Sequence, residues 1–247
     1  MKSESKYLFI FDFDNTLLNG TAINHLIRLY LNDEVKKSLK DKYKSGINLI
    51  DNIKTAFNET KKINIGFPQI KEAVEKMEMN KGFEQLFESL RSNKDSFVNI
   101  IISGGIDLFI KWVTDRYKIS DLITLFLANE AEESSEELIK VTQTNVHNCN
   151  LCNTFQCKKD ILSTYIDGYK KEHNKEFDII TYVGDGENDY CPATLLRVQD
   201  ILFVKEGWSL HELLKKINFL NLKCKIQYWK DGTDINNYLV NNLVITN

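Results

Sequence analysis

The stretch FIFDFDNTLL, residues 9–18, places two carboxylates directly after an apolar run. The run Tyr7–Phe11 is predicted to be a central strand of a parallel sheet, because short apolar runs that end abruptly in polar residues are typical of such strands. Asp12 and Asp14 would repel each other at the end of this strand, and burying either one without a partner is costly. The pair therefore predicts a site that supplies compensating charge.

Beyond this strand, apolar residues recur at helical spacing over residues 19–79, and strand and helix patterns then alternate along the chain. Helical spacing of apolar residues predicts amphipathic helices that pack through one face. Alternating strands and helices predict an α/β fold with a mostly parallel sheet, covered on both faces. The further predicted strands are Phe97–Ile102, Leu122–Leu127, Ile179–Val183 and Ile201–Val204, and later helices are expected over about 157–173 and 210–217.

Polar residues that could bind a ligand follow three of the predicted strands. Asp12 and Ser103 come directly after their strands, and Asp185 follows a third strand after one glycine, Gly184. Ligands of open parallel sheets bind outside the carboxyl ends of the strands, so we expect these three side chains to meet at one edge. The acidic run 130–137 is predicted to be a solvated loop or a hairpin tip, and no function is assigned to it.

Charge and composition argue against several classes of partner. The net charge of −3 gives no general attraction to nucleic acid or to anionic membranes. The polar start MKSESK lacks the apolar core of a signal peptide, and no run approaches the roughly 20 apolar residues of a membrane span. The five cysteines, an odd number, are expected to be reduced thiols. The sequence thus predicts a cytoplasmic protein with neither a nucleic-acid nor a membrane partner.

A divalent cation would make the carboxylate pair favourable. Mg²⁺ binds carboxylate oxygens and offsets their repulsion. Asp185, in VGDGENDY, is a candidate third ligand, and Asp189 is placed either to ligate or to orient. Asp12 could then attack phosphorus and form an aspartyl-phosphate, while Asp14 could protonate the leaving group and later accept a proton from water. Asp-x-Asp pairs are common in surface loops, so the position after a strand is what favours a site.

Two further segments could bind a phosphate. Ser103, in IISGG, could donate to a phosphate oxygen beside the backbone N–H groups of a helix start; the alternative is an ordinary helix N-cap. In CKKD, Lys158 or Lys159 near the start of a helix could balance the charge of a transition state. Isolated lysines are mostly solvated, so this prediction depends on the other motifs.

Taken in chain order, four motifs resemble those of the haloacid dehalogenase superfamily. They are Asp12-x-Asp14-x-Thr16, Ser103, Lys158 and Gly184-Asp185-Gly186-x-x-Asp189. The resemblance implies a Rossmann-like core, Mg²⁺ as the cofactor, a phosphoaspartate and a small helical cap inserted after the first motif. The corresponding domains are a core of residues 1–18 and 82–247 and a cap of residues 19–81. With an Asp at position 14, the chain resembles the phosphatases of this superfamily, since its dehalogenases and phosphonatases lack that Asp.

Longer segments resemble a narrower group, the PHOSPHO family of phosphatases. They are FDFDNT, HNCNLCNTFQCKKDIL, YVGDGENDYCPATLL, GWSLHELL and IQYWKDGTDI, and the resemblance is weakest through the cap. Described members act on phosphoethanolamine and phosphocholine or on pyridoxal phosphate, and plant relatives act on pyrophosphate and other small phosphates. The resemblance implies that Asp12 is the nucleophile, Asp14 the acid/base and Lys158 the phosphate-binding lysine. It also implies that Mg²⁺ binds Asp12, the backbone carbonyl of Asp14, and Asp185.

Two positions of the expected substrate pocket depart from the family pattern. Ile23 and Gly104 stand where the family usually has Asp, and both of those carboxylates are associated with the pocket. The catalytic residue types remain, but a substrate with an ammonium group, such as phosphoethanolamine, loses its counter-ion. Asp107, one helical turn beyond Ser103, is a candidate replacement.

A cluster of His147, Cys149, Cys152 and Cys157 precedes the lysine helix. It could supply four zinc ligands. The alternatives are small buried residues or a redox-sensitive group, and the spacing is tighter than in usual zinc motifs. Cys191, beside the fourth motif, is expected to pack near the site rather than to react.

The leading hypothesis is a Mg²⁺-dependent phosphatase of small phosphorylated metabolites, with Asp12 as the nucleophile. One alternative is a protein that binds phosphate or a metabolite without turnover, which the altered positions Ile23 and Gly104 favour. The other is phosphoryl transfer to an acceptor other than water, which a cap that excludes water would favour.

Overall fold

One mixed sheet organises the chain. The computed structural model describes residues 5–145, 147, 149–152 and 156–243, and the first four residues of MKSESK lie outside these ranges. All neighbouring strands of the described sheet are parallel except the pair β3–β4. The predicted α/β fold with a mostly parallel sheet is confirmed. The strands are β1 (Tyr7–Phe11), β2 (Phe97–Ile106), β3 (Ile123–Ser134), β4 (Leu138–Thr142), β5 (Ile179–Gly184), β6 (Ile201–Lys205) and β7 (Lys225–Trp229), in the order β4-β3-β2-β1-β5-β6-β7.

Helices connect these strands and cover both faces of the sheet. Within the described residues, no helix combines the length and the apolar character that crossing a bilayer requires. The helices are α1 (Ala22–Tyr30), α2 (Asp33–Lys44), α3 (Leu49–Lys62), α4 (Phe67–Glu75), α5 (Phe83–Ser92), α6 (Asp107–Arg116), α7 (Lys158–His173), α8 (Tyr190–Ala193), α9 (Ser209–Lys216) and α10 (Gly232–Asn242).

The central strand β1 contributes to both hydrophobic cores. Successive strand side chains point to opposite faces, so Phe9 and Phe11 pack with residues of α5, α6 and α10, whereas Leu8 and Ile10 pack with residues of α7 and α9. All four side chains are fully buried. The strand lies between β2 and β5. Asp12 therefore emerges from the middle of the sheet, at the edge where three parallel strands end.

The four helices α1–α4 occupy the connection between β1 and α5. Helix α1 packs on α3 and α4, α4 packs on α6, and α3 packs against β4. Gly66 caps α4, and its N–H donates to the Gln69 side chain at 3.1 Å. The chain returns to the sheet at Asn80, whose side-chain amide donates to the backbone oxygens of Asn15 and Thr16 at 2.9 and 2.7 Å. This bond fixes the end of the helical segment to the turn that follows β1.

Two strands extend beyond their predicted ends. Strand β2 continues through Ser103-Gly104-Gly105 to Ile106, with an irregular register against β3. Strand β3 continues to Ser134, so the acidic residues 130–134 pair with β4, and the tip of this hairpin lies at 135–137. In this pairing, the backbone N–H and C=O groups of the acidic segment bond to β4, whereas in a solvated loop they would bond to water. Strands β4 and β7 and helix α10 were not predicted.

Two glycines allow the last helix to pack closely on α5. Gly82 precedes α5 in the left-handed region, with φ of 81°. A Cβ atom on Gly232 would lie 2.5 Å from both the carbonyl carbon of Gly82 and the backbone N of Phe83. The N–H of Gly232 donates to the Lys81 carbonyl at 2.7 Å. Any side chain at position 232 would therefore push the two backbones apart.

We expect Gly232→Ala to lower the free energy of unfolding by about 1–3 kcal/mol, because the added methyl group overpacks a backbone contact. Urea denaturation measures the effect. Gly168→Ala in α7 is the matched control, since a Cβ there meets nothing within 4 Å. That exposed helical position should gain about 0.5–1 kcal/mol from higher helix propensity. Equal stability of Gly232→Ala and the wild type would contradict the described contact.

Candidate active site

Three carboxylates meet at the carboxyl ends of β1 and β5. Asp12 follows β1 and Asp185 follows β5, and the N–H of Asp12 donates to the Val183 carbonyl at 2.9 Å. Ligand oxygens of Asp12, Asp185 and Asp189 all lie within 4.8 Å of one another. The three residues are only 6%, 5% and 0% exposed. The predicted convergence of Asp12 and Asp185 at one edge of the sheet is therefore observed.

Lys158, the first residue of α7, supplies a cation to this group. Its ammonium donates to Asp12 Oδ1 at 2.5 Å and to Asp189 Oδ1 at 2.7 Å, and the residue is 1% exposed. Burial alone would lower the pKa of Lys158, but the charges of Asp12 and Asp189 raise it above its usual range. Of the two candidate lysines, Lys158 is thus the one in the site. Lys159 is half-buried elsewhere on the helix start.

Asp189 is held by four donors. Its Oδ1 accepts from Lys158 and from the Tyr182 hydroxyl at 2.8 Å, and its Oδ2 accepts from the N–H groups of Asp185 and Gly186 at 3.1 and 3.0 Å. A fully buried carboxylate with both oxygens occupied in this way orients its neighbours. The arrangement favours the orienting role over direct metal ligation for Asp189.

Gly184, the first glycine of the GDG motif, leaves room for the Asp189 carboxylate to pack against the backbone. A Cβ atom on Gly184 would lie 2.4 Å from Asp189 Oδ2. Any other residue at position 184 would displace the carboxylate from the backbone. The glycine is required here because the carboxylate packs directly on the chain at the end of β5.

The turn after β1 holds Asp14 beside the cluster. Asp14 Oδ1 accepts from the N–H of Ala22 at 2.8 Å, and Asn15 adopts a left-handed φ of 59°, which Asn tolerates better than most residues. Thr16 then donates to Asp185 Oδ1 at 2.9 Å. The turn therefore connects the first and fourth motifs directly.

Burial dominates the electrostatics of these carboxylates. It raises the pKa of Asp12 to about 6, although the charge of Lys158 opposes the rise, and it raises the pKa of Asp14 to about 7. Burial, with the charges of Asp12 and Asp189, raises the pKa of Asp185 to about 9. The clustered carboxylates exceed the single ammonium that bridges two of them. This excess of buried oxygen donors is what a hard divalent cation requires.

Ser103 lies beside Asp14 but not at a helix start. Its hydroxyl oxygen accepts from the Gly105 N–H at 3.0 Å, and a Cβ on Gly105 would lie 3.6 Å from Asp14 Oδ2. Helix α6 begins only at Asp107, with Ile106 as its N-cap. A helix does follow Ser103-Gly104-Gly105, as predicted, but the two glycines continue the strand. The alternative that Ser103 is the N-cap of this helix is therefore wrong.

The side chain of Asn129 explains why the strand continues there. Its amide donates to the carbonyl oxygens of Gly104 and Gly105 at 3.0 Å each. These two bonds keep the segment extended between the predicted end of the strand and the start of α6. Asp107 also faces β3, because its carboxylate accepts from the N–H of Ala131 at 2.9 Å.

The two positions that depart from the family pattern lie in different surroundings. A Cβ on Gly104 would face Gln156 Oε1 at 3.7 Å and Leu49 Cδ2 at 3.8 Å, so the space beside Gly104 lies between α3 and the segment before Lys158. Ile23 follows Ala22 in α1, and its half-buried side chain packs against the apolar clusters of the helical segment. A pocket role for Ile23 stays a prediction.

Sequence reasoning missed a second cation near the site. Lys205, the last residue of β6, is 7% exposed, and its ammonium donates to the Asn15 carbonyl. It also lies 4.2 Å from the ring centroid of Trp208 and 4.9 Å from that of Trp229. A lysine at the end of an otherwise apolar strand, followed closely by Trp, was the available signal.

The cysteine cluster differs in composition from the predicted set. Among the described residues, Cys149, Cys152 and Cys157 gather with Cys191, and His147 is not part of the group. The His147 ring instead accepts from the N–H of Cys149 at 3.1 Å. Residues 148 and 153–155 of the motif HNCNLCNTFQCKKDIL lie outside the described residues.

The chain matches a known protein family over nearly its whole length. The family model described as "Putative Phosphatase" matches residues 7–243. The chain belongs to this family. Pyridoxal phosphate phosphatase PHOSPHO2 of Rattus norvegicus is 30% identical to it, over 95% of this chain and 97% of its own length. The phosphoethanolamine/phosphocholine phosphatase of Gallus gallus is 24% identical, over 95% of this chain and 88% of its own length.

The fold is also similar to that of a solved structure. A phosphoserine phosphatase from T. onnurineus, in complex with NDSB-201, has a TM-score of 0.60 and 17% identity over 98% of each chain. At that identity the likeness shows the fold alone. The predicted haloacid dehalogenase fold and the expected resemblance to the PHOSPHO family are confirmed. The predicted enzyme class, a phosphoric monoester hydrolase, is confirmed at the level of the family.

We expect Tyr182→Phe to lower the free energy of unfolding by about 1.5–3 kcal/mol, because it removes a hydrogen bond to the buried Asp189 carboxylate. Urea denaturation measures the loss. Tyr43→Phe is the matched control, since Tyr43 is 50% exposed, and it should change stability by less than about 0.5 kcal/mol. Equal effects of the two substitutions would contradict the described network.

Proposed function

We propose that the chain is a Mg²⁺-dependent phosphatase of small phosphomonoesters in which Asp12 is phosphorylated during turnover. The observation that carries the proposal is the buried bridge from Lys158 to Asp12 and Asp189, at 2.5 and 2.7 Å. A carboxylate beside a buried cation can attack a phosphoryl group whose charge the same cation attracts. The names of the relatives, a pyridoxal phosphate phosphatase and a phosphoethanolamine/phosphocholine phosphatase, support small phosphomonoesters as the substrate class.

Mg²⁺ fits the donors of this site. Asp12 and Asp185 offer carboxylate oxygens within 4.8 Å of each other, and the three clustered carboxylates exceed the single ammonium that bridges Asp12 and Asp189. Such an excess of oxygen ligands suits a hard divalent cation. The family resemblance supports the backbone carbonyl of Asp14 as a third ligand, and Asp189 would orient rather than ligate. When bound, the cation would offset phosphate charge and align the phosphoryl group.

The groups of the chain itself support both half-reactions. Asp12 would attack phosphorus while Asp14 gives a proton to the leaving oxygen. In the second half, water attacks the aspartyl-phosphate, Asp14 takes the proton of the water, and inorganic phosphate leaves. Lys158 keeps Asp12 ionised and attracts the phosphoryl oxygens. The Ser103 hydroxyl accepts from the Gly105 N–H, so its own proton is available to a phosphate oxygen.

Residues 19–81 are proposed to act as a cap over this site, with the core formed by 1–18 and 82–247. Support comes from α3, where the Leu49 side chain lies 3.8 Å from the place that a Cβ on Gly104 would occupy. A residue of the helical segment thus faces the strand end that carries Ser103. A cap in this position would limit both the size of the substrate and the access of water.

The surroundings of Gly104 support a substrate without an ammonium group. The two nearest side chains there, Leu49 and Gln156, are uncharged. The Gln156 amide is buried and has no hydrogen-bond partner among the described residues, so a polar substrate atom could satisfy it. A cationic head group would have no counter-ion at this position. Pyridoxal phosphate fits this pattern better than phosphoethanolamine.

We expect Asp12→Asn to reduce hydrolysis of p-nitrophenyl phosphate at least about 10³-fold, since an amide cannot act as the nucleophile. Wild-type activity should also disappear on treatment with EDTA and return with Mg²⁺. Colorimetric release of p-nitrophenol, with inorganic phosphate measured in parallel, gives the rates. Asp41→Asn, on the exposed surface of α2, is the control and should retain full activity.

Two results would overturn this function. One is a folded wild type that hydrolyses nothing on a broad panel of phosphometabolites with Mg²⁺ present, and binding without turnover would then be the activity. The other is an Asp12→Asn variant as active as the wild type. Release of the alcohol without an equal amount of inorganic phosphate would instead identify transfer to another acceptor.

We expect Gly104→Asp to shift selectivity toward phosphoethanolamine over pyridoxal phosphate by about 10-fold in kcat/KM, equivalent to one modest ion pair. The new side chain fits, because its Cβ meets neighbours only at ordinary contact distances of 3.7 and 3.8 Å. Gly104→Asn has the same shape without the charge and should not shift the ratio. An equal shift in both variants would exclude charge as the cause.

A further inference from the structure

Four cysteine sulfurs form a cluster next to the phosphatase site. The Sγ–Sγ distances are 3.5 Å for Cys149–Cys191, 3.7 Å for Cys152–Cys157 and 3.8 Å for Cys157–Cys191. All four sulfurs lie within 4.8 Å of one another. Three of these residues precede α7 and the fourth lies in α8, so the cluster joins two segments that are distant in sequence.

The spacing is that of a tetrahedral thiolate site. Zinc binds four thiolates at about 2.3 Å each, which sets neighbouring sulfurs about 3.8 Å apart. The observed contacts of 3.5–3.8 Å are close to this edge length. They are also far longer than the roughly 2.05 Å of a disulfide bond.

The pattern of contacts favours a single centre over two disulfides. Cys157 contacts both Cys152 and Cys191, and Cys191 contacts both Cys157 and Cys149. Two disulfide bonds would need two separate pairs, whereas here each of the two buried sulfurs has two partners. All four cysteines are present as free thiols. A shared ligand at the centre of the four sulfurs accounts for this arrangement.

We propose that Cys149, Cys152, Cys157 and Cys191 bind one structural zinc ion. Backbone donors already face two of the sulfurs: the Leu151 N–H lies 3.4 Å from Cys149 Sγ, and the Asp160 N–H lies 3.4 Å from Cys157 Sγ. Such N–H···S bonds stabilise negative charge on metal-bound thiolates.

Cys157 adds a second favourable feature, because it is the N-cap of the sixteen-residue helix α7. The partial positive charge of a helix N-terminus favours a thiolate. The N–H of Cys157 in turn donates to Asn145 Oδ1 at 2.8 Å, which fixes the position of the cap.

The zinc would stabilise the phosphatase site without taking part in its chemistry. Cys157 directly precedes Lys158, and Cys191 lies two residues after Asp189, the carboxylate to which Lys158 donates at 2.7 Å. Four thiolates leave no open position for water or substrate, which is the mark of a structural site. The ion would therefore join the loop before α7 to the segment after Asp189, next in sequence to both partners of the Lys158–Asp189 ion pair.

Metal analysis of the wild-type protein tests the proposal first. The protein is purified under reducing, anaerobic conditions without a metal-affinity step, and zinc is measured by inductively coupled plasma mass spectrometry. We expect one zinc per chain and, by X-ray absorption, four sulfur neighbours at about 2.3 Å. Protein from cobalt-supplemented medium should show the visible bands of tetrahedral cobalt and thiolate-to-cobalt charge transfer.

Variants then locate the metal. Cys152→Ser should lose the zinc and unfold at lower temperature, as should Cys191→Ser. Cys224→Ser is the matched control, because Cys224 lies outside the cluster, and it should keep one zinc. Asp12→Asn should also keep one zinc, which separates this ion from any cation in the carboxylate site. The metal content is measured without turnover, so failure of the proposed phosphatase activity would not affect this readout.

Three results would overturn the proposal. They are a zinc content well below one per chain in the folded wild type, zinc that is lost with Asp12→Asn but retained with Cys152→Ser, and disulfide-linked cysteine peptides in protein kept anaerobic throughout. The wild-type measurement alone suffices if the cysteine variants fail to fold.

Discussion

The buried ammonium group of Lys158 lies between the carboxylates of Asp12 and Asp189 and joins the segments that carry them. Without that cation, the clustered carboxylates would have to protonate or separate. Removing one partner from such a buried pair typically costs about 3–5 kcal/mol, because it leaves an uncompensated charge. Asp189 connects Lys158 to the GDG motif, because its carboxylate also accepts from the Tyr182 hydroxyl and from the backbone N–H groups of Asp185 and Gly186. The third and fourth motifs are therefore fixed to the first by one charge.

Parallel sheet topology makes this convergence possible. Strands β2, β1 and β5 are adjacent, and all three end at the same edge. Ser103, Asp12 and Asp185 are thereby neighbours in space although they are far apart in sequence. The segments beyond the strand ends supply the remaining contacts: Asn80 binds the turn after β1, and Thr16 binds Asp185. The proposed zinc ion would act in the same way on the other side, by joining the loop before α7 to α8.

Much of this could be predicted from the sequence, and the exceptions have physical reasons. Strand ends were visible where apolar runs stop, so Asp12 and Asp185 could be assigned to one edge. The family resemblance selected Lys158, but the residues alone left Lys158 and Lys159 open, because that choice depends on which side of α7 faces the sheet. The extension of β2 past Ser103 depends on side-chain bonds from Asn129, a residue on another strand. Cys191 is 34 residues from Cys157, and only the folded chain brings their sulfurs to 3.8 Å.

The role of Asp12 as nucleophile can be tested by following the phosphoryl group during turnover. Wild-type protein turning over p-nitrophenyl phosphate with Mg²⁺ is quenched in acid within milliseconds, digested at low pH and analysed by mass spectrometry. We expect a transient phosphoryl mass on the peptide that contains Asp12, and hydroxylamine should remove it, as it does an acyl phosphate. Active enzyme that carries no such adduct, or carries it on a different residue, would contradict the central role given to Asp12.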